Sequence, residues 1–154
     1  LSSLQTETAD GFFNCAESCE LVCTDAVAWV EGQEASSYDY IVDDLYAEED
    51  GIPERFAPLD SDWCEGLVDL LKPSGILVLN IIEPDRVKRL PLFREARLRE
   101  RLPYAIGYQL EGYENRVVAF SDAPFESNRL AENLAAVVRS FPRCSGVSGR
   151  YQAF

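Results

Sequence analysis

Two apolar, β-favouring runs with a helix between them constrain this chain more than any other feature of it. Tyr38-Asp-Tyr-Ile-Val-Asp (38–43) and Ile76-Leu-Val-Leu-Asn-Ile-Ile (76–82) place apolar residues on both faces of an extended segment, as expected of parallel strands buried within a sheet. Between them Trp63, Leu67, Leu70 and Leu71 recur at helical spacing. Asp60-Ser-Asp supplies a cap at the start of that helix, and Pro73 and Gly75 stop it. The order strand, loop, helix, tight turn, strand is that of an open α/β sheet, whose ligands bind outside the carboxyl ends of the strands. Asp43 and Asp44 stand at such an end. They are the first candidate site, as a catalytic acid pair; a solvated strand end beside an acidic loop is the competing reading.

The 154 residues suffice for one domain with a real core. The formal net charge of −13 repels phosphate backbones, which argues against general nucleic-acid binding. The charge is uneven: residues 85–101 carry seven basic side chains against three acidic ones. No apolar run is long enough to span a membrane, and no signal peptide opens the sequence. The chain begins at Leu1 and contains no Met, which points to a processed or incomplete chain. Five cysteines, an odd number, favour reduced thiols and an intracellular location, cytoplasmic or in an organellar matrix or stroma. Cys15, Cys19 and Cys23 match no common zinc spacing, no His is present, and no metal site is expected.

Taken in order, residues 20–24 read as a strand and Asp25 as the cap of a helix from Ala26, with Trp29 in the core and residues 31–37 as a linker. Residues 44–60, acidic and interrupted by Gly51, Pro53 and Pro58, read as a long loop, either a lid or plain surface. Residues 86–101 read as a basic amphipathic helix kinked or split at Pro91. Residues 104–110 and 116–121 form an antiparallel hairpin turning at Gly112-Tyr-Glu-Asn. Its aromatics are best read as sheet packing, with a dimer surface as the alternative. Residues 127–140 are a last helix, and the tail from Pro142 is extended or disordered. The domain plan is therefore an N-terminal extension or remnant helix at 1–19, an α/β domain at 20–141 and a tail at 142–154.

Three of these segments together resemble a known family. Glu20-Leu-Val-Cys-Thr-Asp-Ala with Trp29, then Tyr38-Asp-Tyr-Ile-Val-Asp-Asp-Leu, then Leu70-Leu-Lys-Pro-Ser-Gly-Ile-Leu-Val-Leu-Asn, are similar to class I S-adenosylmethionine-dependent methyltransferases. The spermidine-synthase-like branch matches best, over about residues 12–122. The resemblance implies an α/β fold: a partial Rossmann-like methyltransferase sheet, mainly parallel, with a C-terminal antiparallel hairpin and helices on both faces. It implies that Asp25, with Ala26 beside it, binds the adenine of the cofactor. It implies that Asp43, at the mouth of the site, binds and deprotonates an attacking amine, for which a carboxylate is suited.

The departures shape the functional expectation. The family's glycine-rich loop has no counterpart, since Gly11 is the only glycine before Asp25. The acid that would hold the ribose is also missing, so the family's first strand, first helix and second strand, at least one βαβ unit, have no equivalent. Where aminopropyltransferases carry a second Asp and then Pro, Tyr46 and Ala47 stand. Without the glycine loop, the cap reading of Asp25 gains weight. The expected function is a methyltransferase-like domain without a complete cofactor site, a structural or accessory subunit of a larger assembly that binds no cofactor. The alternative is the C-terminal part of an active transferase using S-adenosylmethionine or its decarboxylated form, completed by another polypeptide. Either way a protein partner, or a second copy of the chain, is expected to complete or cover the sheet.

Overall fold

The computed structural model describes residue 20 and residues 22–49, 52–140 and 149–154. It divides into two compact units, residues 1–32 and 33–154. In the first, Asp25 caps helix α1 (Ala26–Glu31), its Oδ1 accepting a 3.0 Å hydrogen bond from the Ala28 N–H. The cap reading of Asp25 therefore describes its geometry. Residues 22–24 are irregular, which corrects the strand expected at 20–24: no described strand pairs with them, and a short apolar run without a ladder partner has nothing to hold it extended. Trp29 is half-buried, since α1 contributes no buried residue. The expected extension at 1–19 lies outside the described residues.

The second unit is built on a five-stranded sheet of order β1-β4-β6-β5-β7. Strands β1 (Tyr38–Asp43) and β4 (Leu71–Ile81) run parallel, joined through helix α2 (Ser61–Leu70). Strands β6 (Arg116–Ser121) and β5 (Tyr104–Leu110) extend the sheet as the expected antiparallel hairpin, with Gly112 at φ 84° in its turn. β7 (Gly149–Ala153) adds a fifth, antiparallel strand on β5. Residues 149–153, expected in a free tail, thus belong to the sheet. The reason is backbone pairing: β5 has an open edge, and β7 fills it in register from Gly149 on Leu110 to Ala153 on Ile106.

Lys72 to Gly75, expected as a turn, lies inside β4. Leu71 already pairs with Tyr38, and the ladder resumes at Tyr40 and Ile76, so the extra residues bulge out. Ser74 takes φ 64°, and its N–H donates to Asp122 Oδ2 at 3.0 Å. The basic segment is broken more than once: a 3₁₀ helix (Pro84–Arg89), α3 (Pro91–Arg94) and α4 (Ala96–Arg101). Pro91 explains the first break; at the second, Glu95 is extended. Helix α5 (Ser127–Ser140) has the expected bounds.

Strand alternation splits the sheet into two faces. Leu77, Leu79, Val118 and Phe120 lie on one and are fully buried. Leu92 of α3, Leu98 of α4 and Val87 of the 3₁₀ helix are fully buried too, and the Phe93 ring packs on Phe120 at 5.1 Å between centroids. Tyr40 and Val42, on the opposite face of edge strand β1, remain 57% and 55% exposed. Among the described residues no strand pairs with the outer edge of β1.

Candidate functional site

The carboxyl ends of β1 and β4 carry the site. Residues 44–60, expected as a loop, fold there into a separate antiparallel ribbon of β2 (Tyr46–Glu49) and β3 (Ile52–Arg55), with Tyr46 opposite Arg55. Sequence did hold a signal for it. Asp50-Gly51 between two short runs is the dipeptide favoured in two-residue hairpins.

The ribbon is pinned to the sheet through side chains. The Tyr46 hydroxyl donates to the Asn80 carbonyl at 3.0 Å and accepts the Ile82 N–H at 3.2 Å. Asn80 Nδ2 donates to Asp44 Oδ1, and Asn80 Oδ1 accepts from Asn115 Nδ2, both at 2.8 Å. Asp44 is exposed and Asp43 is not, so the structure splits the expected acid pair.

Asp43, the last residue of β1, is 3% exposed. Its Oδ1 accepts the Leu45 N–H at 3.3 Å. Its Oδ2 accepts from Trp63 Nε1 of α2 at 2.8 Å and from Arg55 Nη2, with which it forms an ion pair. Both oxygens are therefore engaged, and the acid is sealed from solvent. A carboxylate so buried needs such partners, because desolvation would otherwise force it to take a proton. Neither Arg55 nor Trp63 could be assigned to Asp43 from the sequence, since each meets it only through the tertiary fold.

Arg55 is incompletely satisfied. Its guanidinium lies 5.6 Å from the Tyr46 ring centroid, a cation–π contact. Its Nε and Nη1 are buried without a hydrogen-bond partner, an arrangement that costs about 1–3 kcal/mol per orphaned group. On its other side Arg55 lines a groove of about 1030 Å³, together with Tyr46, Phe56, Asp60, Ile82 and Arg89. Arg55 thus both pairs with Asp43 and lines the groove.

Cys64, in the turn of α2 below Asp43, is fully buried. Burial, then the nearby Asp43 and Asp60 carboxylates, push its thiol up to about 12. A thiol held protonated in this way is no nucleophile. Among the described residues no cluster of carboxylates and cysteines could hold a metal ion. No described helix is long and apolar enough to cross a membrane. Asp25 and Ala26 belong to the first unit, at the start of α1.

A mixed α/β sheet with an acid at the carboxyl end of a parallel strand belongs to the Rossmann-like class of folds. No family model and no curated protein matches the chain. Among solved structures, the chain is similar to a probable spermidine synthase from Corynebacterium glutamicum, at 22% identity and a TM-score of 0.64. The match covers 97% of this chain and 55% of that one, so the chain spans about half the length of the protein it matches. The likeness establishes a spermidine-synthase-like, methyltransferase-type fold for these residues.

Proposed function

We propose that the chain forms the acceptor-side part of a spermidine-synthase-like transferase. The site for the adenosyl donor, S-adenosylmethionine or its decarboxylated form, would be completed by further polypeptide, in cis or in trans. The observation that carries this reading is the match of nearly the whole chain to about half of a probable spermidine synthase. The edge of β1 that no strand covers among the described residues supports it, as do Tyr40 and Val42, large apolar side chains left exposed on that strand. A strand edge and apolar area of this kind are where a partner strand and its covering helices would join. In the completed protein Asp43 is the acid that receives a cationic acceptor amine and takes its proton. Asp25 and Ala26 are the proposed adenine contacts; as a cap, Asp25 uses Oδ1 for the backbone.

A second reading, a structural or accessory subunit that binds no cofactor, is favoured by the sealing of Asp43 under Arg55 and Trp63. The two readings part on donor binding. Calorimetric titration with S-adenosylmethionine and its decarboxylated form would be run on the chain alone and on the assembly recovered with it. Transferase function requires micromolar affinity in the assembly, weakened by Asp25→Ala. Failure of the assembly to bind either donor would leave the accessory role.

A further inference from the structure

We propose that Arg55 is a built-in occupant of the Asp43 site, an intramolecular guanidinium standing where a ligand cation would pair with the acid. The inference rests on the reading of Asp43 as the acceptor-side acid and adds how access to it is controlled.

Three observations carry it. Asp43 is closed off from solvent, and the cation that pairs with it comes from the ribbon rather than from the main sheet. Arg55 also lines the groove, so moving one side chain would connect the groove to Asp43. Nε and Nη1 of Arg55 have no acceptor among the described residues where they lie. Swinging into the groove would return both to water, which offsets part of the loss of the ion pair.

The ribbon makes such movement local. Among the described residues β2 and β3 pair with each other and not with a strand of the main sheet. Beside Arg55, the backbone tie is the Phe56 N–H donating to the Leu45 carbonyl at 3.0 Å. The probe chemistry that best matches Arg55 is a planar alkylguanidinium, which forms the same charge-assisted bonds to Asp43 and, unlike an acceptor amine, keeps its proton, so that it reports displacement alone. Glu54 and Asp60 on the groove wall suit a second positive charge at the far end of that ligand, whereas Glu83 there is already paired with Arg86 at 2.6 Å. Agmatine, a guanidinium and an ammonium on one short alkyl chain, is the probe.

The test follows the Trp63 indole N–H, which sits on Asp43 Oδ2, in ¹H–¹⁵N spectra of the full chain during agmatine titration. Arg55→Met is expected to bind agmatine at least about ten-fold more tightly than the unsubstituted chain. Asp43→Asn in the Arg55→Met background is expected to abolish that gain. A folded Arg55→Met chain that binds no more tightly, or a gain that survives Asp43→Asn, overturns the proposal. Should Arg55→Met fail to fold, the unsubstituted chain decides. There agmatine should shift the Trp63 indole resonance saturably, and an unmoved resonance overturns the proposal. Donor binding by the assembly is read separately. Donor binding without displacement of Arg55 removes the occupant and keeps the transferase; displacement without donor binding does the reverse.

Discussion

Trp63 Nε1 donates a 2.8 Å hydrogen bond to Oδ2 of Asp43, joining the first turn of α2 to the carboxyl end of β1 across 20 residues of sequence. The same oxygen takes the Arg55 guanidinium. One carboxylate thereby ties together a helix, a strand of the main sheet and the ribbon. The acid that a transferase would present to its substrate is here a structural junction.

Trp63→Phe keeps most of the apolar volume and deletes the indole donor. A hydrogen bond to a charged group is worth about 1.5–3 kcal/mol, so a loss of about 2 kcal/mol is expected. Asp43→Asn is expected to cost more, about 3–5 kcal/mol, because it leaves a largely buried arginine without its counter-charge. Denaturant unfolding of both variants and of the double variant checks this. The double variant should fall short of the sum, since both changes act on one junction.

How far this could be read in advance depends on which forces are local. The caps at Asp25 and Asp60, the hairpin bounds at 104–110 and 116–121, and helix 127–140 all depend on side chains a few residues apart, and they stand where the sequence puts them. The failures are tertiary. Residues 22–24 look like part of a strand and are irregular, because among the described residues no strand pairs with them. Residues 149–153 look like a tail and become β7 because β5 offers an edge. The break at Glu95 has no Pro or Gly to announce it; the Glu95 carboxylate is engaged by Ser61 of α2 and by Arg97. At the site, Asp43 was legible as a strand-end acid. Its sealing was not, because Arg55 reaches it only once the ribbon has folded.

Glu95 gives an acid-side expectation. Its hydrogen bond from Ser61, and then the Arg97 guanidinium, lower its carboxyl below the ordinary 4.5. Between the lowered folded value and 4.5 the unfolded chain binds more protons, so this group's stabilisation is present above 4.5 and is lost as pH falls through the folded value. Ser61→Ala removes the leading cause. The stability difference between the unsubstituted chain and Ser61→Ala should be constant near neutrality and shrink on acidification. A difference that stays constant down to the acid transition would rule out Ser61 as the cause.

Cys64 acts at the other end of the pH scale. Its thiol titrates from 9.0 in the unfolded chain to about 12 in the folded one, because burial and then Asp43 disfavour the thiolate. Between those values the folded chain holds the proton and the unfolded chain has lost it, so stability declines as pH rises. The slope is about 1.4 kcal/mol per pH unit in that window. Tyrosines and lysines titrate there as well, so the measurement is the difference from Cys64→Ala. That difference should be flat below pH 9.0 and move toward Cys64→Ala above it. Iodoacetamide should leave Cys64 unmodified in the folded chain and label it in urea, as peptide mass mapping would show.

Two glycines in β-structure separate backbone constraint from side-chain constraint. A Cβ on Gly75 would meet the Lys72 carbonyl oxygen at 2.9 Å, Leu71 Cδ2 at 3.1 Å and the Asp39 carbonyl oxygen at 3.3 Å. Two of those three are backbone atoms of the β1–β4 pair and cannot move without opening the bulge that starts their ladder. A Cβ on Gly107 would instead meet Phe154 Cε2 at 2.7 Å, a ring edge at the end of the chain. That ring can turn away at the cost of its 5.1 Å contact with Phe93. Gly75→Ala is therefore expected to destabilise by about 1–3 kcal/mol, in the manner of an overpacked core. Gly107→Ala should cost less, about 1 kcal/mol, the worth of one aromatic pair. Phe154→Ala supplies the check. Added to Gly107→Ala it should cost little more, because the ring is already displaced; added to Gly75→Ala it should cost its full increment, because the two sites share no neighbour. Denaturant midpoints of the three single and two double variants settle the comparison. Equal costs at the two glycines would mean that the bulge yields as readily as a terminal ring.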